Sequence, residues 1–195
     1  MIIASIDKFS LNEYPGKPCA AIFTQGCNYR CPFCYNNELI PLTTEKSIPE
    51  SEVIEFLKSR YPRLDAVAIT GGEPTIQEDL IDFLLKIKQL NYSIKLSTNG
   101  SNSAKLKEIL DKKLIDYLQV DLKAPFHRYG ELSGINHADI TNIKQTISLA
   151  ESSSIPHEFR TTFYRELLND KDIEEIKSYV KNSSHIINDY IKVNY

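Results

Sequence analysis

Three cysteines lie close together in the run Cys27-Asn28-Tyr29-Arg30-Cys31-Pro32-Phe33-Cys34, a C-x3-C-x2-C spacing. Thiolates are soft ligands suited to zinc, copper(I) or iron–sulfur clusters. A closed structural zinc site needs a fourth ligand, normally from a second Cys pair or a His pair. Cys19 sits apart in an apolar run and reads as a small buried hydrophobe. The histidines His127, His137, His157 and His185 show no ligand pairing. Three ligands without an evident fourth suit an iron–sulfur cluster that leaves one iron open to another group. A three-ligand zinc loop is the alternative.

Other residues with chemical potential fall at regular intervals. In Gly71-Gly72-Glu73-Pro74, two glycines permit close backbone approach, Glu73 can accept from an ammonium, and Pro74 biases Glu73 towards extended backbone. Ser97, Thr98 and Asn99 precede Gly100. Asp121 and Lys123 occupy alternate positions, so on a strand they face one way. Either could also be half of an ordinary surface ion pair.

These residues need elements to hold them, and the apolar pattern supplies a rhythm. Short apolar runs predict strands at 19–23, 66–70, 92–97, 117–122 and 157–164, with a last strand at 189–194. Helical spacing predicts helices at 50–60, 78–90, 104–112, 139–151 and 172–181. Ser47 is placed to cap the first of these in a capping box with Glu50. In the second, Leu80, Ile81, Leu84, Leu85 and Ile87 are expected inward. Alternating strands and helices imply βαβ units on a parallel sheet. The expected fold is α/β, a partial (β/α)6 TIM-like barrel of parallel strands, with 1–195 forming one domain. In such folds function gathers in loops beyond the carboxyl ends of strands, which is where all of these residues fall.

Composition excludes several classes. The 195 residues are 42% hydrophobic and 25% charged, typical of a globular protein rather than a disordered one. With 23 basic against 26 acidic residues, the net charge is −3, which argues against nucleic-acid or electrostatic membrane binding. No run approaches the ~20 apolar residues of a membrane span, and no signal peptide is visible. A cytoplasmic location is expected, where clustered thiols stay reduced and point to metal.

The assembled motifs resemble the radical S-adenosylmethionine superfamily, whose members carry this cysteine spacing. Ser5-Ile6-Asp7, Tyr14-Pro15-Gly16-Lys17, Phe23-Thr24-Gln25-Gly26-Cys27, Ile69 to Thr75, Leu96 to Gly100 and Asp121 to Pro125 follow in order. They look more narrowly like the activating proteins of glycyl-radical enzymes, in particular those of anaerobic ribonucleoside-triphosphate reductase. The resemblance implies that Cys27, Cys31 and Cys34 bind three irons of a 4Fe–4S cluster, with S-adenosylmethionine on the fourth. Gly71, Gly72 and Glu73 would hold its amino group, and Phe33 would lie against the adenine. Asp121 and Lys123 would serve the ribose and carboxylate region, helped by Ser97, Thr98 and Asn99, while Arg160 would meet the carboxylate.

The same resemblance implies reductive cleavage to a 5′-deoxyadenosyl radical that acts on a partner glycine, with a flavodoxin or ferredoxin as electron donor. No catalytic residue beyond the cofactor-binding set is indicated. A small-molecule substrate, such as a modified purine precursor, is the second reading. A non-catalytic zinc or iron–sulfur module is the third.

Overall fold

The computed structural model describes residues 1–135 and 140–191. Seven strands form one sheet in sequential order: β1 (Ile3–Ser10), β2 (Cys19–Thr24), β3 (Ala66–Gly71), β4 (Ser93–Thr98), β5 (Tyr117–Asp121), β6 (His157–Phe163) and β7 (Ser184–Asp189). From β2 to β7 every neighbouring pair is parallel, and β1 runs antiparallel to β2. The connections carry α1 (Glu50–Arg60), α2 (Leu80–Lys88), α3 (Ser103–Asp111), α4 (Tyr129–Ser133), α5 (Ile140–Ser152) and α6 (Asp170–Ser178). This α/β arrangement of six parallel strands agrees with the expected fold.

Alternation along each strand divides the sheet's two faces. One face sends Ile22, Val67, Ile94, Leu96, Leu118, Val120 and Phe159 into the main core, where they meet Leu57, Phe83, Ile87, Leu106, Ile109 and Ile143 from the helices. Both faces of the central strands are buried, as parallel strands require. The opposite face begins with a separate small cluster of Tyr14, Cys19, Ala21, Ala66 and Ala68. Towards the carboxyl ends of the strands the same face becomes polar.

Several elements differ from expectation for identifiable reasons. Strand β1 is not visible in the pattern because its apolar residues Ile3, Ile6 and Phe9 are three apart. Two register shifts, between Ile3 and Ser5 and between Asp7 and Ser10, break the period of two. The last strand lies at Ser184–Asp189, not 189–194, and residues 192–194 are outside the described set. Ser47 does not cap α1. Ile48 is held in a bridge to Ile3, so the chain is still extended there, and Pro49 takes the cap position without a side-chain bond. The buried stripe of α2 is Leu80, Phe83, Leu84 and Ile87, whereas Leu85 is 42% exposed. Helix α6 starts earlier than expected because Asn169 and Asp172 form a capping box.

Candidate active site

The carboxyl ends of β2 to β6 open into one pocket. Cys27, Cys31 and Cys34 line it from the loop after β2, with Phe33 between them. Gly71, Gly72 and Glu73 enter from the end of β3, and Ser97, Thr98 and Asn99 from β4. Asp121 and Lys123 contribute from β5. Arg160 is not in the lining. It lies lower on β6, and its guanidinium pairs with Glu158 Oε1 at 2.6 Å. His137 lies outside the described residues.

The cysteine loop is braced by its own backbone and by its neighbours. Cys34 N–H donates to Cys31 O at 3.1 Å, closing a turn around Pro32 and Phe33. Arg30 folds back so that its guanidinium donates to Cys27 O at 2.6 Å and Tyr29 O at 2.8 Å. Arg30 N–H donates to Ser133 O at 2.7 Å, fixing the loop against the end of α4. There Gly134 has φ +68°, and a Cβ on it would stand 2.2 Å from Arg30 O. Only glycine tolerates both the left-handed backbone and that approach.

The sulfurs have an environment suited to metal-bound thiolates. Tyr29 N–H and Asn99 Nδ2–H point at Cys27 Sγ, at 3.4 and 3.9 Å, and such bonds favour the charged sulfur. Burial pushes the Cys27 thiol up and raises Cys31 to about 11, with Lys123 opposing the shift at Cys31. A bound iron would remove these protons outright. Among the described residues no three His, Cys, Asp or Glu side chains are gathered so as to hold a single metal ion.

The Gly-Gly-Glu segment lines the pocket and is tied to the protein's own backbone. A Cβ on Gly72 would stand 2.1 Å from Gly26 O, so the glycine admits the chain's own backbone. Gly72 N–H donates to Thr24 O and Glu73 N–H to Gly26 O, binding the β3 turn to the root of the cysteine loop. The buried Glu73 carboxylate is a junction. Its Oε1 accepts from Thr75 N–H at 3.0 Å, Thr75 Oγ1 at 2.5 Å and Thr98 Oγ1 at 2.7 Å, and Oε2 accepts from Asn99 N–H at 2.6 Å. Burial raises its pKa, and the bonds from Asn99, Thr75 and Thr98 offset part of that rise.

Asp121 and Lys123 form an ion pair at 2.8 Å across the pocket wall, and Gln119 Nε2 donates to the other carboxylate oxygen at 3.0 Å. Burial acts to raise Asp121, but Lys123 holds it below the usual carboxylate range. Burial likewise acts to depress Lys123, and Asp121 holds it above the usual ammonium range. The depressed Asp121 stabilises the fold above the ordinary carboxylate pKa, a contribution lost as pH falls through its folded value. The raised Lys123 contributes below the ordinary ammonium pKa and loses that as pH rises through its own value. Asp121→Asn should therefore cost about 1–3 kcal/mol at pH 7, less than a fully buried pair because both groups are partly solvated. Anaerobic urea titrations should show that difference flat across neutral pH and shrinking below about pH 4.

Tyr29, Tyr35, Asn36, Ile40, Thr70 and Thr162 also line the pocket, although none of them is a site residue in the sequence reading. The segment after β6 has a structural part as well. Phe33 meets Tyr164 at 6.4 Å between centroids, Tyr164 meets Tyr190 at 4.8 Å, and Tyr190 meets Tyr35 at 5.0 Å. Ile191 N–H donates to Tyr35 Oη at 2.9 Å. This aromatic chain fastens the outer end of the cysteine loop to the end of β7. Its signal in sequence is only a set of scattered tyrosines.

The sequence profile described as the Radical SAM superfamily matches residues 21–180. The chain belongs to that superfamily. It is therefore a radical SAM enzyme, whose cofactors are a 4Fe–4S cluster and S-adenosylmethionine, and the non-catalytic reading is set aside. A Methanocaldococcus jannaschii protein provisionally named a glycyl-radical enzyme activating enzyme is 34% identical over 184 residues, covering 92% of this chain and 75% of that protein. GTP 3′,8-cyclase of Helicobacter pylori is 30% identical over 177 residues, 87% of this chain and 53% of the cyclase. Streptococcus suis SuiB, solved with S-adenosylmethionine, shares the fold with a TM-score of 0.65 at 20% identity. That match covers 87% of this chain and 39% of SuiB. No helix among the described residues is long and apolar enough to cross a membrane.

Proposed function

We propose that this radical SAM enzyme generates a glycyl radical on a partner protein, with anaerobic ribonucleoside-triphosphate reductase as the first candidate. The observation that carries this reading is the 34% identity, over 92% of the chain, to a relative named for glycyl-radical enzyme activation. When bound, the cofactors supply one-electron cleavage of the sulfonium and a 5′-deoxyadenosyl group able to abstract hydrogen. The chain's own residues bind and orient. Cys27, Cys31 and Cys34 would hold three irons, and N–H groups of Tyr29 and Asn99 would stabilise the charge on the Cys27 sulfur. Gly72 and Glu73 would form the amino-group wall, and Phe33 the adenine wall. Asp121, Lys123 and Ser97 would serve the ribose and carboxylate end, with Thr98 and Asn99 supporting Glu73. Arg160, below the pocket, would act from the floor rather than as a direct carboxylate contact. A flavodoxin or ferredoxin would deliver the electron.

The likeness to GTP 3′,8-cyclase favours a second reading, in which the substrate is a small molecule such as a purine nucleotide. The deciding experiment is anaerobic. The cluster is reconstituted, reductant and S-adenosylmethionine are added, and 5′-deoxyadenosine and electron paramagnetic resonance are followed with and without the reductase. Cleavage with a glycyl radical on the reductase is the expected result. Cleavage with no radical on that reductase or on other glycyl-radical enzymes, but with consumption of GTP, would overturn it.

A further inference from the structure

Tyr29 lines the pocket and carries a hydroxyl that the protein itself leaves unpaired. Its hydrogen bonds belong to its backbone, where N–H donates to Cys27 Sγ at 3.4 Å and the carbonyl accepts from Arg30 at 2.8 Å. The phenol hydroxyl has no hydrogen-bond partner among the described residues. Tyr129, whose ring meets that of Tyr29 edge-on at 6.4 Å, does not supply one. Its own hydroxyl accepts from Lys123 N–H at 3.3 Å and donates to Asp121 O at 3.5 Å. Glu73 does not either, because both of its oxygens are taken up by Thr75, Thr98 and Asn99.

The ring around that hydroxyl is deeply buried. Tyr29 is 3% exposed and packs in the main core. Its oxygen is not among the unpaired polar atoms sealed from solvent, which belong to Arg60, Lys95, Glu158, Arg160 and His185. The small part of Tyr29 that stays open therefore includes the oxygen, and it opens on the pocket shared with Cys27 and Cys31. A phenol costs more than a phenylalanine in such a place unless an occupant of the pocket bonds to it. Burial, then Tyr129, Glu73, Cys31 and Cys27, push its pKa up, so it stays protonated and serves as a donor. The acceptors left around it are sulfurs. Cys27 Sγ already has two N–H donors, from Tyr29 and Asn99, whereas Cys31 Sγ meets none among the described residues.

We propose that the Tyr29 hydroxyl donates a hydrogen bond to the iron–sulfur assembly on its Cys31 side, and that this bond favours the reduced cluster. Reduction adds one electron, delivered by the external reductant, and no covalent bond changes at Tyr29. The added negative charge strengthens each hydrogen bond to the assembly, so every donor moves the potential up. This role for Tyr29 rests on Cys27, Cys31 and Cys34 as the cluster ligands. It is independent of which partner receives the radical.

The test compares the wild type with Tyr29→Phe, which keeps the ring against Tyr129, after anaerobic reconstitution of both. Their iron contents should match. A redox titration without S-adenosylmethionine is followed by electron paramagnetic resonance. At a fixed potential Tyr29→Phe should lower the ratio of reduced to oxidised cluster about 10-fold, a shift of about 59 mV for a one-electron couple. The apo variant should melt at or above the wild-type temperature, since an unpaired buried hydroxyl has been removed. If Tyr29→Phe does not load iron, a ring-fluorinated tyrosine in place of Tyr29 is titrated instead. As a stronger donor of nearly the same shape, it should move the potential upward. An unchanged potential in either iron-loaded protein, or a lowered melting temperature in apo Tyr29→Phe, overturns the assignment. Weaker binding of S-adenosylmethionine with an unchanged potential gives the hydroxyl to that cofactor and overturns it as well. None of these readouts needs a glycyl radical, so this role and the activating function can fail separately.

Discussion

Glu73→Gln should destabilise the protein by about 1–3 kcal/mol and abolish detectable cleavage of S-adenosylmethionine, although the two side chains have the same shape. Both carboxylate oxygens of Glu73 accept a backbone N–H that cannot rotate away, Thr75 N–H on one and Asn99 N–H on the other. An amide offers a single oxygen. Whichever way it is turned, its NH2 group faces a fixed N–H donor, and one buried donor loses its partner. The two threonine hydroxyls can rotate to accept, so they do not set the cost. Because Asn99 also points at Cys27 and donates to Asn28 Oδ1, the disturbance passes directly into the cysteine loop. Urea denaturation measures the stability loss, and iron content with 5′-deoxyadenosine release measures the effect on the site. A Gln variant with wild-type stability would remove Glu73 from its role as a junction. Thr98→Val deletes one donor to Glu73 and also takes the acceptor from Gly100 N–H, which bonds to Thr98 Oγ1 at 3.1 Å, so it should destabilise the protein too, by about 1–3 kcal/mol, while leaving both fixed N–H donors to Glu73 paired.

Glu73 also shows how much of the site the sequence reveals. That this loop, the cysteine loop and the ends of β4 and β5 converge is legible, because alternating apolar runs and helical spacing force a parallel sheet with its loops on one rim. The β1 strand is not legible, since its bulges destroy the period on which recognition depends. Partner choice is illegible too. Gly71-Gly72 announces a close backbone approach, but not that the backbone approaching Gly72 is that of Gly26, a residue many positions away. Arg160 shares a face with Asp121, as strand alternation requires, but strand position alone cannot show that Glu158 draws it out of the pocket lining. The tie between Tyr190 and Tyr35 joins segments with no common motif. Periodicity reports which face a side chain takes, whereas long-range pairing decides what it meets there.

The three cysteines should respond as a unit, in contrast with the fourth. Cys27→Ala, Cys31→Ala or Cys34→Ala should each remove the visible iron–sulfur absorption and lower S-adenosylmethionine cleavage at least ~1,000-fold, because a site that acts as one assembly loses nearly everything with any member. The rest of the loop would remain in place. Arg30, Ser133 and Gly134 hold its backbone without the sulfurs, so circular dichroism should stay close to wild type in each variant. Cys19→Ala should behave differently. Cys19 is buried among Tyr14, Ala21, Ala66 and Ala68 on the lower part of the sheet, with its thiol raised to about 11 by burial and donating to Ser10 O at 3.5 Å. Its loss removes one small buried group and should cost about 1 kcal/mol with iron content unchanged. If Cys19→Ala also lost iron, the cluster would have a fourth protein ligand and no open iron for S-adenosylmethionine. If one of the other three variants kept full iron and cleavage, the ligand set itself would be wrong.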